Sequence, residues 1–146
     1  MTTRYRVYYE NAVGRAVDDP LGLARLTYQP GTRDAEAMAA LLGHVTRLLA
    51  KRGDGCLLVD QRLMSPFTPT EQIFVIQQWL PRAVAEGSYR FGAVVLAENA
   101  FARLATRSVT TAVRDMPMLY QYFEQEVDAV AWLLQQKQQA QLGRTK

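Results

Sequence analysis

Two apolar runs flank a helix with a strong start signal, and this block constrains the fold more than any other part of the chain. The first run, Cys56 to Val59, is continuous and leads into Asp60 and Arg62. The second covers Tyr89 to Ala97. Short apolar runs of this kind suit central strands covered on both faces. Between them, Thr68-Pro69-Thr70-Glu71 carries a helix start. Thr68 is placed to cap the helix, Pro69 fits its first position, and Glu71 completes a capping box. Ile73, Phe74, Ile76, Trp79, Leu80 and Val84 follow, Pro81 should kink the helix, and Gly87 should end it. The segments at 56–59 and 89–97 are therefore expected side by side, bridged by this helix.

The flanking segments extend the pattern. Residues 4–10 alternate, with Tyr5, Val7 and Tyr9 expected on one side and Arg4, Arg6, Tyr8 and Glu10 on the other. NAVGRAVDDP reads as a turn-bounded connection, and LGLARLTY as a second strand stopped at Pro30-Gly31. Met38, Leu41, Leu42, Val45, Leu48 and Leu49 line one face of a helix from Asp34 to Arg52, with Gly53 as its C-cap. A helix over 99–114, a short aromatic strand over 118–123 and a last helix from Glu126 to about Gln136 complete the order. The expectation is an α/β fold: one mixed sheet of about five strands with packed helices, ordered β-β-α-β-α-β-α-β-α. It places one domain in residues 1–136 and a flexible polar tail in 137–146.

The 146 residues suit a single domain able to bury a core without staples. One cysteine, Cys56, excludes an internal disulfide and a Cys-rich metal site. The single histidine, His44, lies off the apolar line of its helix, so a boundary position is expected rather than a ligand. A net charge of +3, scattered except for Arg103, Arg107 and Arg114, lacks the stripe of a nucleic-acid binder. No apolar run reaches about 18 residues, and MTTRYRVYYE lacks a signal-peptide core. No nucleic acid, membrane span, metal or cofactor is expected, and the expected location is the cytoplasm. Phosphate-loop, dinucleotide and nucleophile-elbow patterns are not found in the sequence.

With this order in place, the chain resembles the SpoIIAA-like group, which includes STAS domains of anti-anti-sigma factors and small bacterial STAS/SEC14 domain proteins. The resemblance covers most of residues 4–134 and rests on LLVDQR, SPFTPTEQ, QQWLPRAVAEG and FEQEVDAVAWL. It implies a regulatory module working through protein contacts. Its SEC14-like side implies an alternative, a carrier of a small apolar molecule or lipid. In the anti-anti-sigma domains a regulatory serine sits in a motif resembling D-S-S-G-L. Aligning Phe67 with the aromatic residue before that motif puts Thr70 and Glu71 on the serines, Pro69 on the Asp and Gln72 on the Gly. The chain departs from that motif at its defining residues, and one serine position is a carboxylate. The positive end of a helix favours an anionic group, so Ser65, Thr68 and Thr70 remain candidate phosphoacceptors, although helix capping accounts for residues of this type here.

Asp60 and Arg62 are candidate contact residues, because ligands of open α/β sheets bind beyond the carboxyl ends of strands. The same pair also reads as a local ion pair holding the loop 61–68. Leu63, Met64 and Phe67 form an apolar patch if exposed, suited to a partner or a lipid tail, or to self-association as a homodimer. If tucked under the helix, they are structure. The leading expectation is a non-enzymatic binding module with an unknown protein partner. An enzyme using Asp60, Arg62 or His44 is the weaker third reading.

Overall fold

The computed structural model describes residues 6–144. Its strands are β1 (Arg6–Glu10), β2 (Gly14–Asp19), β3 (Leu23–Tyr28), β4 (Cys56–Asp60), β5 (Phe91–Val95) and β6 (Leu119–Phe123). The helices are α1 (Ala35–Arg52), α2, α3 (Ala100–Ala112) and α4 (Glu126–Arg144). Helix α2 joins Pro69–Phe74, a π turn at Val75–Trp79, and Leu80–Gly87. All six strands form one sheet in sequential order, β1-β2-β3-β4-β5-β6. The first three are antiparallel, and β3 to β6 are parallel. The expected adjacency of the two apolar runs is present, with Leu58 opposite Ala93 and Val59 opposite Val94.

The sheet has six strands rather than five, because the segment expected to be a connection contains β2. It pairs with β3 from Gly14↔Tyr28 to Asp19↔Leu23. The backbone of β2 lies so close to β3 that a Cβ at Gly14 would sit 2.2 Å from the Thr27 carbonyl oxygen. The side chain of Asn11 accepts from the Val13 N–H and shapes the tight turn before the strand. In β1, a bulge between Val7 and Tyr9 breaks the expected alternation. Val7 is half exposed, whereas Tyr9 stacks on His44 at 3.9 Å. Arg4 and Tyr5 of the expected strand lie outside the described residues.

Each parallel step moves one strand along the sheet in the same direction. Right-handed crossovers then place α1, α2 and α3 on one face. Their buried side chains share a single core with Leu26, Leu57, Val59 and Val94. Helix α4 follows the last strand and covers the other face. There Ala129 and Leu133 pack on Leu23, Cys56, Leu58, Ala93 and Val95. Alternate residues of β4 feed the two cores, which is why its sequence is apolar throughout.

The helix signals have direct counterparts. Asp34 caps α1 by accepting from Ala37 N–H, and Gly53 closes it at φ 75°. Thr68 and Glu71 form both bonds of the capping box. Pro81 does not simply kink α2. The chain widens into a π turn, with Leu80 N–H donating to Val75 O, and the helix resumes with Pro81 in its first turn. Gly87 is the last helical residue, and Ser88 supplies the left-handed cap at φ 56°. At Gly87 a Cβ would press on Leu49 Cβ and Thr46 O, both at 3.1 Å. Beyond Gln136 the chain continues as helix to Arg144. The boundary expected at 136 falls inside α4, where Lys137 Nζ donates to Gly22 O at 3.0 Å.

Candidate functional site

A network of charged side chains starts at the carboxyl end of β4. Asp60 closes β4 on the α4 side of the sheet, in the same alternation as Cys56 and Leu58. The chain then curls so that Arg62 grips Asp60 from three donors. Its backbone N–H and Nε donate to Oδ1 at 3.1 and 3.0 Å, and Nη2 donates to Oδ2 at 2.7 Å. Arg62 Nη2 also reaches Glu126 Oε1 at 3.1 Å. The same oxygen accepts from Arg25 Nη1 at 2.6 Å. Arg25 in turn holds Asp19 Oδ2 through Nε at 3.2 Å and Nη2 at 2.9 Å. The result is a ladder of alternating charge, Asp60–Arg62–Glu126–Arg25–Asp19, that spans β4, α4, β3 and β2. Its Asp19 end is buried and its Arg62 end is open to solvent.

This geometry sets the protonation states. Burial alone would raise the Asp60 pKa, but the hydrogen bonds and charge of Arg62 outweigh it and hold the carboxyl below its ordinary value. Burial works against the charge of Arg25, yet its bonds to Glu126 and Asp19 raise its pKa. The bonds from Arg62 to Asp60 raise that guanidinium likewise. Each carboxylate of the ladder is therefore committed to a guanidinium partner. Elsewhere, burial pushes the Cys56 thiol up to about 12, so the sulfur is held as an inert thiol.

The expected site residues divide. Asp60 and Arg62 do meet, as an ion pair that anchors the loop. Leu63 is 57% exposed, but Met64 and Phe67 are only 1% and 7% exposed and belong to the core. Phe67 packs edge-on against Tyr28, with ring centroids 5.8 Å apart. The apolar patch expected at 63–67 thus reduces to Leu63. The Ser65 hydroxyl accepts from Gly31 N–H at 2.8 Å, and Thr68 is occupied as the cap. Thr70 is exposed in the first turn of α2. His44 is half-buried between Tyr9 and Tyr8 on the far side of α1.

Sequence reasoning missed Arg25, Asp19 and Glu126 as partners of Asp60 and Arg62. Arg25 had a signal: it interrupts an apolar strand, and buried charges are paired. It also missed Arg33, whose buried guanidinium lies 5.7 Å from the Tyr28 ring centroid and 5.3 Å from that of Phe67. Arg33 donates to Glu71 Oε1 at 2.7 Å and to the Ser65 carbonyl, tying the loop to the capping box. Nothing before α1 in the sequence marks that arginine as interior.

Exposed apolar side chains occur on the neighbouring helix. Phe101 and Leu104 of α3 are 71% and 63% exposed. The loop that precedes α3 is tied to the β4 loop by Glu98 N–H donating to Arg62 O at 3.0 Å. Leu63, Phe101 and Leu104 therefore belong to neighbouring segments at one end of the sheet, with Arg62 beside them. Between the sheet, α2 and α3 lies a cavity of about 30 Å³, lined in part by Gln61, Trp79, Thr106 and Tyr120. Thr106 donates to Gln61 across it at 2.8 Å. A space of that size holds a water or two, far below the roughly 300–1,000 Å³ of small-molecule sites. Among the described residues no group of three or more His, Cys, Asp or Glu is placed to hold a metal ion. Nor is any of their helices long and apolar enough to cross a membrane.

These features define an α/β protein with a charge ladder running across the α4 face of its sheet, from the carboxyl end of β4 to the amino end of β3. No family model matches the chain, and neither a curated protein nor a solved structure does.

Proposed function

We propose that the protein is a non-enzymatic binding or regulatory module of STAS-like build, acting through protein contacts at the carboxyl end of its sheet. The observation that supports this best is the exposure of Phe101 and Leu104, with Leu63 on a loop tied to the one before α3. Large exposed apolar side chains rimmed by charge are the usual composition of a protein-contact surface. Arg62 adds a solvent-facing cation that an incoming carboxylate can share with Asp60.

The experiment is capture of partners from the native cell by the tagged protein, compared with a Phe101→Asp/Leu104→Asp variant. The expected result is a protein retained by the wild type and lost from the variant, with both folded by circular dichroism. Identical captured sets would remove the rim from consideration. Light scattering after size exclusion tests self-association in the same preparations. The alternative, an apolar-ligand or lipid carrier, has weaker support, because the internal cavity is too small for an acyl chain without separation of α2 and α3.

A further inference from the structure

The last strand of the sheet has a free edge. Leu119 N–H donates to Arg90 O at 2.8 Å, and Phe123 O accepts from Leu96 N–H at 2.9 Å. In a parallel ladder the residues of one strand alternate in which side their backbone groups address. Leu119, Gln121 and Phe123 therefore face β5, and the N–H and C=O groups of Tyr120 and Tyr122 point away from the sheet. The opposite edge is guarded. β1 carries a bulge and ends in Arg6 and Glu10, with Glu10 tied to Arg15 at 2.9 Å. Bulges and charges are the common devices against edge pairing. β6 reads LYQYF, with neither a charge nor a proline.

A groove of about 310 Å³ runs along that edge, between Thr110, Val113 and Arg114 on the α3 side and Leu119, Tyr120 and Tyr122 of β6. Its α3 wall carries Arg114, and a second arginine stands over a lining ring. Arg107 lies over the Tyr122 ring, 5.1 Å from the centroid, and Thr110 bonds the Tyr122 hydroxyl. Arg103, on the same side of the helix, is already paired with Glu124 at 3.1 Å. Arg107 and Arg114 are exposed. These are the clustered arginines that stand out in the sequence.

We propose that the β6 edge receives an extended acidic segment of a partner protein as an additional strand. This rests on the binding-module reading and gives the partner a chemistry. Main-chain bonds to Tyr120 and Tyr122 supply the pairing, as in other strand-addition complexes. Alternate side chains of the added strand fall on the α3 side, where carboxylates meet Arg107 and Arg114. The others fall beside Leu119, which is 52% exposed, and favour apolar residues. A second copy of this chain fits less well, because two-fold pairing of β6 with itself sets the same arginine wall against its twin.

The test uses a fluorescein-labelled nonapeptide alternating glutamate and valine, its lysine-for-glutamate counterpart, and a version N-methylated on alternate backbone nitrogens. Binding is read by anisotropy at low salt and mapped by amide chemical shifts. The glutamate peptide is expected to bind at least tenfold more tightly than the lysine or N-methylated one, with shifts centred on residues 118–124. Arg107→Glu/Arg114→Glu, at two exposed positions, is expected to reverse the charge preference. Equal binding of all three peptides, or none at millimolar concentration, overturns the proposal. So does a dimer of the free protein that Tyr122→Pro dissolves, since that assigns the edge to a second copy. Rim-dependent capture that persists when the peptides fail would sink the edge proposal alone.

Discussion

Arg25 shows how one side chain can organise a surface. It is the one charged residue of its strand and bonds the buried Asp19 and the half-buried Glu126. Removing one member of a buried pair leaves the other charged and unsolvated, at about 3–5 kcal/mol. Arg25→Met is expected to lose stability in that range by urea denaturation, and Asp19→Asn in the same background to restore part of it. Asp60 makes a pH prediction. Its folded pKa lies below its ordinary value of 3.8, so the unfolded chain takes up the proton first as the medium is acidified. The stabilisation is fully present above the unfolded value and disappears as pH falls through the lower folded one. Denaturation midpoints measured from pH 6 to pH 2 should show this acid limb, and Asp60→Asn should flatten it. The Asp60–Arg62 pair was legible from its two-residue spacing at a strand end, although the chain turns at 61–64 rather than staying extended. Glu126 was not, since an acid in the first turn of a helix is fully explained by the helix dipole.

Among the elements, those with strong local chemistry were the readable ones. The Thr68 capping box and the apolar line of α1 specify themselves within a few residues. β2 was illegible because GRAVDD offers three charged residues and a glycine, and only pairing on both sides makes it a strand. The π turn was equally hidden. Proline announces a lost backbone bond but not how the chain absorbs the loss. Here the wider turn absorbs it, and Trp79 Nε1 in that turn donates to Leu42 O at 2.8 Å and Thr46 Oγ1 at 3.0 Å. Proline inside a regular helix costs about 3 kcal/mol relative to alanine, but little in a first turn. Pro81→Ala is therefore expected to shift stability by less than about 1 kcal/mol in thermal denaturation. A gain near 3 kcal/mol would show that the π turn carries the proline's strain unrelieved.

At the scale of the molecule, the alternation of strands and helices was enough to place β4 beside β5 and to require parallel neighbours. It gave no indication that α4 crosses to the opposite face, because amphipathic helices look alike whichever side they cover. That placement explains the thiol. Cys56 Sγ lies 4.0 Å from Leu133 O beneath α4, and burial raises its pKa to about 12. Native protein at neutral pH is expected to resist a thiol reagent such as dithionitrobenzoate. Lys137→Ala, which cuts the tie from α4 to Gly22, should speed labelling several-fold. Equal rates for both would mean that whole-molecule unfolding, not release of α4, exposes the sulfur.

The position of α4 also bears on synthesis. Strands β3 to β6 and the helices between them can assemble in the order in which they leave the ribosome, since every strand joins the one made just before it. The back of that sheet, with Leu23, Leu58, Ala93 and Val95, stays wet until α4 itself is made and swings across. A nascent chain halted before residue 126 would present a greasy half-finished slab, the kind of surface that holdase chaperones grip.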